Sequence, residues 1–228
     1  MTERLLLILR HAEAGPHLYS GSGDIERPLT PMGHQQAASI GAQLAKLELP
    51  EPVHVLCSPA RRTRETAEGV LSALPDAAVP QLEKNLYGAG LDTLYGFIHA
   101  TPEDIRTLLL IGHNPAIGTL AHDLTGPALQ SDTFAALRHG YAPATLTVFQ
   151  TQEDWINVRS STVKASQVLI PCLAYQTRSG TKKTDAFFSG LRFYIVASLK
   201  NFDFQNTGVS GRPRPECEKS IAIRPTDS

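Results

Sequence analysis

Five apolar residues in succession, Leu5-Leu6-Leu7-Ile8-Leu9, run directly into Arg10-His11-Ala12. A short continuous apolar block bounded by charge reads as a strand buried on both faces, here residues 4–9. The same arrangement returns at Thr107-Leu108-Leu109-Leu110-Ile111, followed by Gly112-His113-Asn114-Pro115. Between these blocks the period changes. Residues 12–29 form a loop punctuated by Gly15-Pro16 and Ser20-Gly21-Ser22-Gly23. Thr30-Pro31 opens a helix, with Thr30 as N-cap, and apolar or small residues at Ala38, Gly41, Leu44 and Ala45 carry it to about residue 47. Val53–Cys57 is a second strand, followed by Ser58-Pro59, with Ser58 as N-cap of a helix to about residue 73. Residues 79–82 make a weak strand and 91–100 a helix. Another helix runs from Pro115 to about Leu124. Alternation at 144–149 and 155–158 predicts two strands, and 168–170 closes the sheet.

Strands alternating with helices through about residue 170 predict an α/β three-layer sandwich, with a mostly parallel sheet and helices on both faces. In open sheets of this kind ligands sit at the carboxyl ends of the strands. Both histidine strings fall at such ends. After Pro171 the pattern weakens. Ala186–Leu199 is apolar enough for a helix or strand, and 201–228 reads as irregular. The expected division is a core at 1–171 and a C-terminal extension at 172–228. No internal repeat is present.

Composition narrows the class. Of 228 residues, 42% are hydrophobic and 19% charged, with a net charge of −1. That balance predicts neither nucleic-acid nor membrane binding. The N-terminal apolar run is too short for a signal peptide, and no segment approaches a membrane span. Cys57, Cys172 and Cys217 are too scattered for a disulfide framework or a zinc site, so a cytoplasmic setting is expected. Charge is uneven: residues 1–171 hold 12 Lys and Arg against 17 Asp and Glu, and residues 172–228 hold 9 against 5.

The chemistry lies in three strings. In Arg10-His11 an imidazole could attack phosphorus beside a guanidinium that matches phosphate oxygens; the ordinary alternative is a satisfied histidine at a strand end. Ser58-Pro59-Ala60-Arg61-Arg62-Thr63-Arg64-Glu65-Thr66-Ala67 places three arginines in four residues at a helix start. That arrangement opposes the helix dipole unless an anion is bound, although Arg61 and Arg64 also suit a solvated basic face. His113, at a strand-to-helix turn, could donate to a phosphoryl oxygen. A resemblance to the cysteine-dependent tyrosine phosphatases would imply an arginine six positions after the cysteine, and that position from Cys57 is Thr63.

Together these strings resemble the histidine phosphatase superfamily, the phosphoglycerate mutase-like group. The resemblance covers about 1–171 and includes Arg27-Pro28-Leu29-Thr30, Gly33 and Gln36-Ala37. It implies a phosphoglycerate mutase-like fold, His11 as nucleophile through a phosphohistidine intermediate, and Arg10, Arg62 and His113 as catalytic and substrate-binding groups around the phosphoryl. Arg62 is chosen over Arg61 because it lies four after Ser58 and four before Thr66. Arg10-His11-Ala12, with alanine where glycine is commoner, and Gly112-His113-Asn114-Pro115 look most like the SixA-type phosphohistidine phosphatases.

The family's proton donor precedes a Tyr-Gly pair by three residues. Here that pair is Tyr87-Gly88 and the position holds Lys84. Glu83 and Glu13 are the remaining candidates. A P–O bond to an alcohol needs a general acid, whereas a phosphoramidate nitrogen can be protonated beforehand, so a site without an acid suits P–N substrates. The expected partner is a phosphorylated protein or a small phosphorylated metabolite, with no metal and no cofactor. The alternatives are a small-molecule phosphomonoesterase of the same group and a phosphoryl-binding scaffold with little turnover. His17, His34, His54, His99, His122 and His139 show no metal-ligand spacing and read as surface or core.

Overall fold

The computed structural model describes residues 3–16, 23–74, 79–176 and 182–185. His17, Cys217, Ala186–Leu199 and 201–228 lie outside the described residues.

A six-stranded sheet is built from β1 (Arg4–Arg10), β2 (Val53–Cys57), β3 (Gln81–Leu82), β4 (Thr107–Gly112), β5 (Leu146–Thr151) and β6 (Lys164–Leu169), in the order β3-β2-β4-β1-β5-β6. Strands β1 to β4 are mutually parallel; β5 runs antiparallel to β1, and β6 antiparallel to β5. The helices are α1 (Pro31–Leu44), α2 (Arg61–Leu71), α3 (Leu91–His99) and α4 (Ala116–Thr125).

The apolar blocks serve both faces because successive side chains on a strand point oppositely. Leu5, Leu7, Leu9, Val55, Cys57, Leu109 and Ile111 pack with Ala37, Ile40 and Leu44 of α1 and Ala67, Val70 and Leu71 of α2. Leu6, Ile8, Leu56, Leu108 and Leu110 face the other way, against Leu94 and Ile98 of α3 and Ile117, Leu120 and Leu124 of α4. The sheet is thus sandwiched as expected. Helices α1 and α2 are drawn together at Gly41, where an added Cβ would come within 2.6 Å of the Val70 carbonyl oxygen.

One expectation changes. Residues 155–158 are not a strand: Trp155–Asn157 is a 3-10 turn. Its apparent alternation comes from Trp155 and Val158, three apart and both buried, while Ile156 is 60% exposed. The indole nitrogen of Trp155 donates to the Ile105 carbonyl at 3.0 Å. Beyond Pro171 the chain still forms strands, β7 (Leu173–Gln176) and β8 (Lys182–Asp185), paired antiparallel. The Ser39 hydroxyl of α1 meets the Cys172 backbone, accepting its N–H at 2.8 Å and donating to its carbonyl at 3.2 Å.

Candidate active site

Register brings the two histidine strings together. Arg10, the last residue of β1, pairs with Gly112, the last residue of β4. His11 donates its backbone N–H to the Gly112 carbonyl at 3.1 Å, so His11 and His113 leave adjacent strands side by side. Their ring centroids are 5.2 Å apart and tilted by 56°. On the other flank Cys57 pairs with Ile111, and the Ser58 amide donates to the Ile111 carbonyl at 3.0 Å. Three neighbouring parallel strands therefore deliver His11, His113 and Ser58 to one edge of the sheet.

His11 is buried, with 8% of its surface exposed. Its Nδ1 lies 2.7 Å from the carbonyl oxygen of Ala12. A carbonyl only accepts, so Nδ1 carries the hydrogen and Nε2 keeps its lone pair. Burial drives the His11 pKa down to about 4; the Ala12 bond opposes this, and the guanidinium charges of Arg62, Arg10 and Arg27 reinforce it. At neutral pH the ring is an uncharged base. The carbonyl of His11 accepts the amide of Ala144 at 3.1 Å, and Ala144 holds a left-handed conformation (φ 55°) to make that contact.

His113 is pulled down further, to about 3, by burial and then by Arg62 and His11, with Asp24 acting in the opposite sense. Its Nε2 lies 2.7 Å from the Ser58 hydroxyl. Ser58 is fully buried, and its hydroxyl has no other acceptor among the described residues. Donation from Ser58 to Nε2 satisfies that hydroxyl and places the ring hydrogen on Nδ1. Nδ1 is itself buried without a protein partner among the described residues.

Arg62 of α2 is 4% exposed. Its terminal nitrogens donate to the Asp24 carbonyl at 2.7 Å and the Asp24 Oδ2 at 2.8 Å, and its buried Nε has no partner among the described residues. Arg61 and Arg64 of the same turn pair instead with Glu65 and Glu26. Arg10 donates to the Tyr141 carbonyl at 2.6 Å, which also accepts from the Asn114 amide at 3.0 Å. Burial lowers the Arg10 pKa from its ordinary value, but a guanidinium stays cationic in proteins. Arg10, Asn114, His139 and Tyr141 help line a cleft of about 260 Å³.

The candidate acids are occupied elsewhere. Glu13 accepts the Thr30 hydroxyl at 2.7 Å, and Thr30 in turn caps α1 by accepting the Gly33 amide at 2.9 Å. Glu83 is half-buried and pairs with the Gln81 side chain. The outlying histidines do other work: His99 and His122 bond the carbonyls of Val158 and Leu137, and His34 and His139 are exposed. Among the described residues no group of three or more His, Cys, Asp or Glu is arranged to hold a metal ion.

Four further residues join the site. Ser58 is not the cap of α2, a position held by Ala60; Pro59 carries the chain past the turn and frees the hydroxyl for His113. Thr66 accepts the Ala12 amide at 3.0 Å and donates to the Arg62 carbonyl at 2.6 Å. Asp24, in a 3-10 turn of the first loop, accepts from Arg62 and, at 2.8 Å, from the Tyr87 hydroxyl, and pairs with Arg27 at 3.1 Å. Tyr87 sets the edge of its ring against His113, with centroids 5.5 Å apart, and the Arg62 guanidinium lies 5.8 Å from the Tyr87 ring centre. Thr66 stood within the matched string; Asp24 had only its place three before Arg27-Pro28 as a signal.

Comparison with known proteins identifies the family of the chain. Residues 6–88 match the histidine phosphatase superfamily (branch 1). An uncharacterized protein of Mycobacterium tuberculosis is 34% identical over 113 residues, 50% of this chain and 67% of that protein. Among solved structures, a candidate phosphohistidine phosphatase SixA from Nakamurella multipartitia is 32% identical with a TM-score of 0.62, over 75% of this chain and 98% of that one. A second SixA candidate, from Agrobacterium tumefaciens, shares the fold at a TM-score of 0.61 and 24% identity, over 73% of this chain and 98% of that one. With this likeness in sequence and in sheet architecture, the chain belongs to the histidine phosphatase superfamily.

Proposed function

We propose that this protein is a phosphatase that acts through His11 and that its substrate is a protein phosphohistidine. The observation that carries the reading is the state of His11: a neutral ring, with Nδ1–H fixed on the Ala12 carbonyl and Nε2 bare. That is the form a nitrogen nucleophile requires.

In the first step the Nε2 lone pair attacks phosphorus in line. The new N–P bond forms as the bond to the leaving group breaks, and the leaving atom takes the electron pair. Arg10 and Arg62 neutralise the phosphoryl oxygens, and the Nδ1–H of His113 donates to one of them. Water then attacks the phosphohistidine, the N–P bond breaks towards His11, and phosphate departs. The Glu13 carboxylate accepts from Thr30 and that of Glu83 from Gln81, and Asp24 is held ionised between Arg62, Arg27 and Tyr87. A leaving group that can be protonated in advance, such as an imidazole, therefore suits the site better than an alkoxide. All of the proposed machinery precedes residue 114, which supports residues 1–171 as the catalytic core.

The test is His11→Ala, together with trapping of the phosphoenzyme by an alkaline quench. The wild type should form an acid-labile phosphoenzyme and release phosphate from a phosphohistidine peptide. The variant should do neither. Unchanged turnover in a folded variant would overturn the proposal. Faster wild-type turnover of sugar monophosphates than of the peptide would shift the reading to a small-molecule phosphomonoesterase.

A further inference from the structure

The charges that weigh most on the two histidine rings are the guanidinium groups of Arg10, Arg27 and Arg62 and the single carboxylate of Asp24. Three positive charges and one negative leave two, which matches a phosphoryl dianion and nothing more. Asp24 is held in place from three sides: Arg62 at 2.8 Å, the Tyr87 hydroxyl at 2.8 Å and Arg27 at 3.1 Å. It is also within reach of solvent, with 30% of its side chain exposed. Through Tyr87 it stands on the His113 side of the pair, where the Tyr87 ring abuts the His113 ring. Attack from His11 expels the leaving group on the face of phosphorus away from His11. The carboxylate is a fixed, solvent-reachable negative charge held against Arg62 on the His113 flank of the site.

We infer that Asp24 is a specificity-determining residue: its carboxylate favours substrates whose leaving group is neutral or cationic and rejects those whose leaving group carries a second anion. The inference rests on the phosphatase reading above and adds the charge class of the leaving group. Phosphohistidine peptides pass this filter. A phosphorylated hydroxy acid or a bisphosphate brings a carboxylate or phosphate towards Asp24 and is disfavoured. Removing the carboxylate leaves three guanidinium charges to face a dianion, and the surplus attracts a second anion.

The experiment uses the full chain and three aryl phosphates whose para substituent is carboxymethyl, methyl or aminomethyl, carrying charges of −1, 0 and +1. Intrinsic reactivity cancels when the ratio of kcat/KM for the aminomethyl over the carboxymethyl substrate is compared between enzymes. In the wild type this ratio should be high. Asp24→Asn keeps the shape and can still accept from Arg62 and Tyr87, and should lower the ratio about tenfold, the scale of one unit charge acting over several ångströms near a protein surface. Asp24→Glu should restore most of the ratio. A purely structural role would slow all three substrates alike, so an unchanged ratio in folded Asp24→Asn overturns the inference. If the wild type shows no His11-dependent turnover of any of the three, the phosphatase reading itself fails.

Discussion

The hydroxyl of Thr66 accepts the backbone N–H of Ala12 at 3.0 Å, tying the residue after His11 to the helix that carries Arg62. The same hydroxyl donates to the Arg62 carbonyl at 2.6 Å, so one side chain sets the spacing of β1 and α2 at the site. Ala12 and Thr66 are both fully buried, and no water can replace the bond. Thr66→Val, of similar shape, should therefore destabilise the fold by about 1–3 kcal/mol, the cost of a buried unsatisfied donor. It should also lower kcat, because the Ala12 carbonyl that orients His11 shifts with its amide. Thr66→Ser should recover both. Urea denaturation and steady-state kinetics read the two effects, and a valine variant equal to wild type in both would show that the bond is idle.

Ser58 presents its hydroxyl to His113 and leaves Nδ1 as the proton-bearing nitrogen. Ser58→Ala frees the ring to place its hydrogen on either nitrogen. We expect kcat to fall about tenfold to a hundredfold, less than the hundredfold to thousandfold typical of deleting a charge-stabilising donor outright. His113→Ala should show that larger loss. Equal rates for Ser58→Ala and the wild type would remove Ser58 from the site.

The two depressed histidines make the fold sensitive to acid. Their folded pKa values, about 4 for His11 and about 3 for His113, lie below the ordinary 6.5. As pH falls through 6.5 the unfolded chain takes up protons that the folded chain refuses, so stability declines, and the His11 contribution levels off below pH 4. At about 1.4 kcal/mol per pKa unit the His11 loss is on the order of 3 kcal/mol. The urea midpoint should drop between pH 7 and pH 4.5, and by less in His11→Ala. A flat midpoint would show that the rings titrate normally. Activity, by contrast, should hold well below pH 6, since His11 remains unprotonated there.

Cys57 lies on β2 directly before Ser58, and burial pushes its thiol up to about 12. A thiol in that state is neither nucleophilic nor readily alkylated. Cys57→Ala should retain kcat while losing about 1–2 kcal/mol of core packing. Loss of activity in a folded Cys57→Ala protein would reopen a cysteine mechanism.

Legibility followed locality. The ends of β1 and β4 were readable because an apolar block and its terminal histidine are contiguous, and the register Arg10 to Gly112 follows from pairing two such blocks. Arg62 was singled out by the motif register, four after Ser58 and four before Thr66, and the structure sends its neighbours Arg61 and Arg64 to Glu65 and Glu26. Asp24 was not: it sits in an aperiodic loop and its meaning depends on Arg62, 38 positions away. Ser58 looked like a helix cap because serine before a helix usually is one, and only the β2–β4 register shows its hydroxyl reaching His113. The direction of β5 and β6 was hidden as well, since alternation reports which face is buried and not which way the chain runs.

The reversed direction of β5 has its own consequence. A wholly parallel sheet offers a ligand only the segments that leave its strands. Because β5 runs the other way, the stretch arriving at it, residues 138–145, also comes to the reactive edge, where Tyr141 bonds Arg10 and Ala144 bonds His11. That stretch is anchored at these contacts and solvent-exposed at Arg138–Gly140. Descendants of this chain could lengthen or shorten it at His139 and Gly140 and acquire new substrates, with the strands bearing both histidines left untouched.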